Sequence, residues 1–142
     1  MVVPLRTNAD LTVYNKYIAS RDEAFLRTEI KAVAWENQKA VNKLAGGGVI
    51  SDNKAIIYIP FQRGSAFLSP KTWQALADED KPDNWTLQEG DIIVKGTISD
   101  EITALFTASD LMAKYDDVLR INATDTFDQG SPSMQHWQVG AK

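Results

Sequence analysis

The chain's one histidine, His136, stands between Gln135 and Trp137. A general base needs a partner within hydrogen-bond reach that orients and tunes it. Neither neighbour is a base or a metal ligand, so His136 reads as a packing or interface residue. Carboxylates gather in Asp78-Glu79-Asp80, in Asp116-Asp117, and at Asp125 and Asp128. Paired acids can hold a divalent cation. The spacing of a calcium loop is missing, however, and Asp125-Thr126-Phe127-Asp128-Gln129-Gly130 only loosely echoes it. These acids read as solvated turns. The serines form no Gly-x-Ser-x-Gly elbow, and no Gly-x-x-x-x-Gly-Lys phosphate cradle occurs. The chain has no cysteine, which removes disulfides, thiolate metal sites and cysteine nucleophiles. These residues point to a non-enzymatic protein without a cofactor or a metal.

Two other groups of residues suit binding rather than catalysis. Gly46-Gly47-Gly48 lacks a following Lys-Ser or Lys-Thr, so it reads as a flexible loop, flanked by Lys39, Lys43 and Lys54. Those lysines could touch a phosphate backbone, but acids nearby offset them. The four tryptophans are Trp35, Trp73, Trp85 and Trp137. Tryptophan is seldom fully buried and is enriched at interface hot spots. Trp73 has helical spacing and is expected in the core. Trp35 and Trp137 suit either core or partner, and Trp85, in an Asn-Trp-Thr loop, is the expected exposed anchor. With Tyr14, Tyr17 and His136 they make up the candidate partner interface.

The elements that would carry these residues are mostly strands. Leu11–Ile18 is rich in β-branched and aromatic residues. After the polar turn Ser20–Glu23, the stretch Phe25–Trp35 has apolar residues on both parities. That pattern predicts a twisted strand that changes its buried side at a bulge, with a helix favoured by Glu29, Lys31 and Ala32 as the rival. Gln38–Ala45 predicts two turns of helix before the glycines, inside a loop that spans about 38–53. Lys54–Phe61 predicts a strand ended by Pro60. Ser69 and Pro70 form a helix start, with Trp73, Leu76 and Ala77 as its inward stripe and a stop before Asp80. Gly90-Asp91 turns into the strand Ile92–Gly96. Thr107–Tyr115 predicts a second short helix with Leu111, Met112 and Tyr115 inward. Val118–Thr124 and Met134–Val139 close the chain as strands, separated by Asp128–Pro132.

At 142 residues the chain fits one domain, 1–142. A chain of this size buries roughly 68–70% of its unfolded surface, so a core without staples is feasible. The net charge of -4 argues against wrapping nucleic acid, which needs lysine and arginine to replace counterions. It does not exclude a surface past which DNA slides. No apolar run approaches membrane-spanning length, and Met1–Arg6 lacks the pattern of a signal peptide, so synthesis in the cytoplasm is expected. Strands joined by short turns and two short helices predict a mainly β fold, a small antiparallel β-barrel or sandwich with one or two short helices in the connections.

Leu11-Thr12-Val13-Tyr14-Asn15-Lys16-Tyr17, a short turn, and Thr28-Glu29-Ile30-Lys31-Ala32-Val33-Ala34-Trp35-Glu36 resemble the first hairpin of head-closure (head-tail joining) neck proteins of tailed bacteriophages. Pro60-Phe61, Ser69-Pro70, Asp91–Gly96 and the ending Gln135-His136-Trp137-Gln138-Val139-Gly140 are similar to small proteins encoded among head-tail genes in prophages of Gram-positive bacteria. The resemblance implies a β-barrel in the virion neck that forms a ring of six or twelve copies. A portal or adaptor protein would lie above it and a tail terminator or tail tube below. Packaged DNA would pass through the channel, with no membrane involved. It also implies a gating or neighbour-contacting role for the loop that carries Lys39, Lys43, Gly46, Gly47 and Gly48. A channel that must not grip phosphates would present acids such as Asp52, Glu79, Asp80 and Asp116. The alternatives are a tail terminator or minor tail structural protein, and a small nucleic-acid-binding β-barrel. The latter is disfavoured by the acidic balance and the lack of a basic-aromatic stripe.

Overall fold

β-Branched and aromatic residues recur with the two-residue period of a pleated strand through much of the chain, and there they form strands. The computed structural model describes residues 7–43, 49–61 and 66–142. In chain order the elements are β1 (Ala9–Ala19), β2 (Asp22–Lys43), β3 (Val49–Pro60), α1 (Pro70–Gln74), β4 (Ile92–Lys95), α2 (Ala108–Lys114), β5 (Val118–Phe127) and β6 (His136–Ala141). All the strand pairs are antiparallel. The pairings run β1-β2-β3-β6-β5-β4 and return from β4 to β1, so the sheet closes into a barrel. The chain is thus mainly antiparallel β with two short helices in the connections, as the strand spacing predicted. Among the described residues no helix is long and apolar enough to cross a membrane.

One irregularity in β2 sets its inward face. Ala9 pairs with Val33 but Leu11 pairs with Ile30, so β2 carries one residue more than β1 across this step. Ala32 takes up the extra residue with φ 62° and donates its N–H to the Asp10 carboxylate at 2.9 Å. Ile30, Val33 and Trp35 all become buried as a result. This is the expected bulge and change of buried side, and the rival helix is excluded.

The structure differs from the sequence pattern in four places. Gln38–Lys43, expected as helix, continues β2 and pairs residue by residue with Val49–Lys54 of β3. Helix propensity over two turns is a weak prior, and here an established strand register carries straight on. The loop expected across 38–53 therefore shrinks to the connection between Lys43 and Val49, whose residues 44–48 lie outside the described residues. Helix α1 stops at Gln74, well short of Asp80, and leaves Ala77 exposed rather than inward. In α2, Leu111 is buried as expected, but Met112 is on the exposed side.

Two apolar clusters lie on opposite faces of the barrel wall. Leu11, Val13, Ile57, Ile59, Ile93 and Val139 fill the interior, with Trp35, Trp85 and Trp137. Tyr14, Phe25, Ile92 and Val94 point the other way and are covered by Leu111 of α2 and by Ile98, Ile102 and Phe106. Covering on both faces explains why β4 is a continuous apolar run instead of an alternating one. The covering segment is tied to β1 by bonds from the Thr12 hydroxyl to the Gly96 carbonyl (2.8 Å) and from the Tyr14 hydroxyl to the Asp100 carbonyl (2.6 Å).

Thr107 caps α2. Its hydroxyl accepts from the Asp110 N–H, while the Asp110 carboxylate accepts from the Thr107 N–H at 2.9 Å. Thr107→Ala is expected to lower stability by about 1 kcal/mol in urea unfolding, and Thr107→Ser to restore most of it. Equal stability of the alanine and serine variants would show that the cap contributes nothing.

Candidate functional site

The aromatic residues expected at a partner interface are mostly spent on the chain's own core. Trp85 is 5% exposed, and the exposed anchor expected there is a core residue. Its ring meets Phe67 at 5.0 Å and Trp137 at 5.5 Å between centroids, and Trp137 packs on Phe61 (4.4 Å) and Phe67 (4.2 Å). This group of rings joins the interior cluster. The polar surroundings of Trp85 in sequence concealed this, because the backbone on either side is drawn inward by pairing. The Leu68 N–H donates to the Trp85 carbonyl, and the Trp85 N–H to the Ala66 carbonyl. Trp35 is buried, with its indole N–H donating to the Asn37 side chain at 2.9 Å. Tyr14 is fully buried under the outer covering segment, and burial pushes its hydroxyl pKa up. Trp73 is in the core, as expected. Tyr17 is half-buried, edge-on to Trp73 at 6.0 Å, with the buried Lys81 ammonium over both rings.

Among the described residues His136 is an interface candidate that lines a surface groove. It stacks on Phe127 at 4.9 Å and 12°, meets Tyr58 edge-on at 5.8 Å, and has Nδ1 2.8 Å from the Met134 carbonyl. The groove has a volume of about 410 Å³ and is also lined by Thr126, Asp128 and Gln129. Phe127 is 44% exposed and Met134 50%. His136 therefore has ring and carbonyl neighbours. Among the described residues no group of three or more histidine, aspartate or glutamate side chains could hold a metal.

Next to this groove β5 leaves the wall. Its lower half pairs with β4 through Val118–Arg120, and the Ile121 N–H donates to the Asp91 carbonyl. A register shift between Ile121 and Ala123 follows, and from there to Phe127 the strand pairs with β6 alone. Every residue from Asn122 to Phe127 is exposed. Among the described residues no strand pairs with the other edge of this stretch.

The ribbon is the counterpart of that edge. Glu36–Lys43 of β2 pair with β3 and, among the described residues, have no partner on the β1 side, and Val49–Lys54 of β3 lie beyond the end of β6. A two-stranded ribbon thus continues past the barrel, carrying Lys39 and Lys43. Gly46, Gly47 and Gly48 fall outside the described residues.

Sequence reasoning missed a buried polar clamp on the opposite flank. Asp91, fully buried, accepts from the Lys16 N–H (2.8 Å), the Asn15 side chain (2.8 Å), and the Gln88 N–H and side-chain amide (both 3.0 Å). Asn15 also bonds the Thr86 backbone, donating to its carbonyl at 2.7 Å and accepting from its N–H at 3.2 Å. The side chains of Gln74 and Gln88 both donate to the Lys16 carbonyl. The exposed backbone of β1 at Lys16 is therefore satisfied by side chains. Burial pushes the Asp91 carboxyl up to about 6, against the pull of its hydrogen bonds. Asp100 behaves oppositely, since the Tyr115 hydroxyl and the Lys114 ammonium hold its carboxyl below the usual range. The one sequence signal for the clamp was a carboxylate placed between a turn glycine and the apolar run Ile92–Val94.

The chain matches no curated protein and no solved structure. A family model described as a family of unknown function (DUF6751) matches residues 6–142, and the chain belongs to that family.

Proposed function

We propose that the protein is a structural component of a phage neck, where copies form a ring that closes the portal channel after DNA packaging and joins head to tail. The observation that carries this reading is the ribbon of Gln38–Lys43 and Val49–Lys54, which projects from a barrel whose interior is filled by side chains. A filled barrel has no room for a substrate, so its working surfaces are external. A projecting ribbon at the place of the gating loop is what a channel-closing subunit requires. The surroundings of His136 and the absence of a metal-binding group among the described residues favour assembly over catalysis. Glu79, Asp80 and Asp116 are exposed, so acids are available to a DNA-facing surface.

Removing the gene from its phage is the test. Loss of the neck ring should yield filled heads that lose their DNA, together with free tails. A tail terminator or minor tail protein would instead leave heads that retain DNA and tails of abnormal length. Absence of the protein from purified virions, or normal tailed particles without it, would overturn the neck reading.

A further inference from the structure

Among the described residues two strand edges are left open, and they are placed so that they cannot meet within one molecule. One is the outer edge of β2 over Glu36–Lys43, and the other is the outer edge of β5 over Asn122–Phe127. In the cycle β1-β2-β3-β6-β5-β4, strands β2 and β5 lie three steps apart in either direction, diametrically opposed. Open edges are templates for further pairing, and proteins blunt them with proline, lysine or a covering segment. The stretch Asn122-Ala123-Thr124-Asp125-Thr126-Phe127 contains neither proline nor lysine, and its threonines and phenylalanine suit a strand. Elsewhere the chain does close an edge: that of β1 at Lys16 is sealed by Asp91, Gln74 and Gln88.

We propose that the β2 edge of one copy adds to the β5 edge of the next, forming a continuous sheet across the subunit boundary. Charge favours this pairing over β2 with β2 or β5 with β5. The ribbon carries Lys39, Lys43 and Lys54 against two acids, Glu36 and Asp52. The β5 edge carries Asp125 and ends at Asp128, both exposed, and neither forms an ion pair among the described residues. Main-chain hydrogen bonds supply the attraction in such strand addition, and charge selects the partner. The contact joins different surfaces of the two copies, so it propagates head to tail and closes as a ring when the rotation allows. It rests on the neck reading for its setting alone, because the pairing chemistry is independent of where the ring sits.

Charge-swapped variants test it. Lys39→Glu/Lys43→Glu has an acidic ribbon and an acidic edge. Asp125→Lys/Asp128→Lys has a basic ribbon and a basic edge. Each is expected to self-associate about tenfold or more weakly than the parent chain in sedimentation equilibrium up to about 1 mM. An equimolar mixture of the two should recover association, because both boundaries then pair opposite charges. Because the chain lacks cysteine, mixing Ala40→Cys with Thr124→Cys protein and a short bis-maleimide should also give a cross-linked heterodimer, confirming which edges meet. A parent chain that is monomeric throughout this range would overturn the proposal. So would variants that associate as the parent does, or a mixture that fails to recover. A virion lacking the protein would sink the neck reading and leave these measurements standing.

Discussion

Trp85→Ala is expected to lower unfolding stability by about 3–5 kcal/mol, the range for truncating a buried large aromatic. An exposed tryptophan would cost a fraction of that. Trp85 touches Phe67 and Trp137, and Trp137 in turn holds Phe61, so the substitution opens a cavity within a group of rings that cannot collapse as one. The same rings anchor the path from Ala66 to Leu68, which is bonded to the Trp85 backbone. Urea unfolding would show a lower midpoint at nearly constant slope. A loss under about 1 kcal/mol would mean that this end of the barrel is not packed as described.

The second large effect is a pH dependence with an unusual sign. Most paired carboxylates stabilise a fold above their pKa and release that stability in acid. Asp91 does the reverse, because the folded carboxyl titrates at about 6 against the ordinary value of 3.8. The folded chain binds the extra proton between those values. Its contribution is fully present below 3.8 and is lost as pH rises through 6. The total is about 3 kcal/mol, of which about 2–3 kcal/mol falls between pH 4 and pH 7. Measuring stability in that window for the parent chain and for Asp91→Asn isolates the group, since the other acids are common to both. The parent should gain on the variant as the pH falls. A stability difference that stays constant with pH would show that the four donors, and not burial, govern this carboxyl.

The strands of this chain were legible where a local pattern coincided with the tertiary demand. Ile92–Val94 is apolar on both parities because a core lies on each side of it, and the double parity of Phe25–Trp35 was itself the trace of a bulge. The Ser-Pro start marked the first helix. Legibility ended where distant partners decide. Gln38–Lys43 is a strand because β3 runs beside it, and nothing within those residues announces β3. Trp85 is buried because Phe67 and Trp137 reach it from elsewhere in the chain. Asp91 is a clamp because β1 passes at hydrogen-bond distance, while its own neighbours read only as a turn. Open edges are still harder to read, because they are defined by which strands stop short.

The extra residue at Ala32 reaches further than its local geometry. A strand is a binary string, one symbol for each side of the sheet, and a bulge shifts that string by one place. Everything downstream of Ala32 is therefore written in the opposite phase from everything upstream. Losing one residue there would send Val33 and Trp35 outward and would turn the ribbon over by half a turn about its length. A single backbone irregularity thus holds the barrel core and the face offered to a neighbour in one fixed relation. A change in length at this step of β2 would therefore disturb both at once.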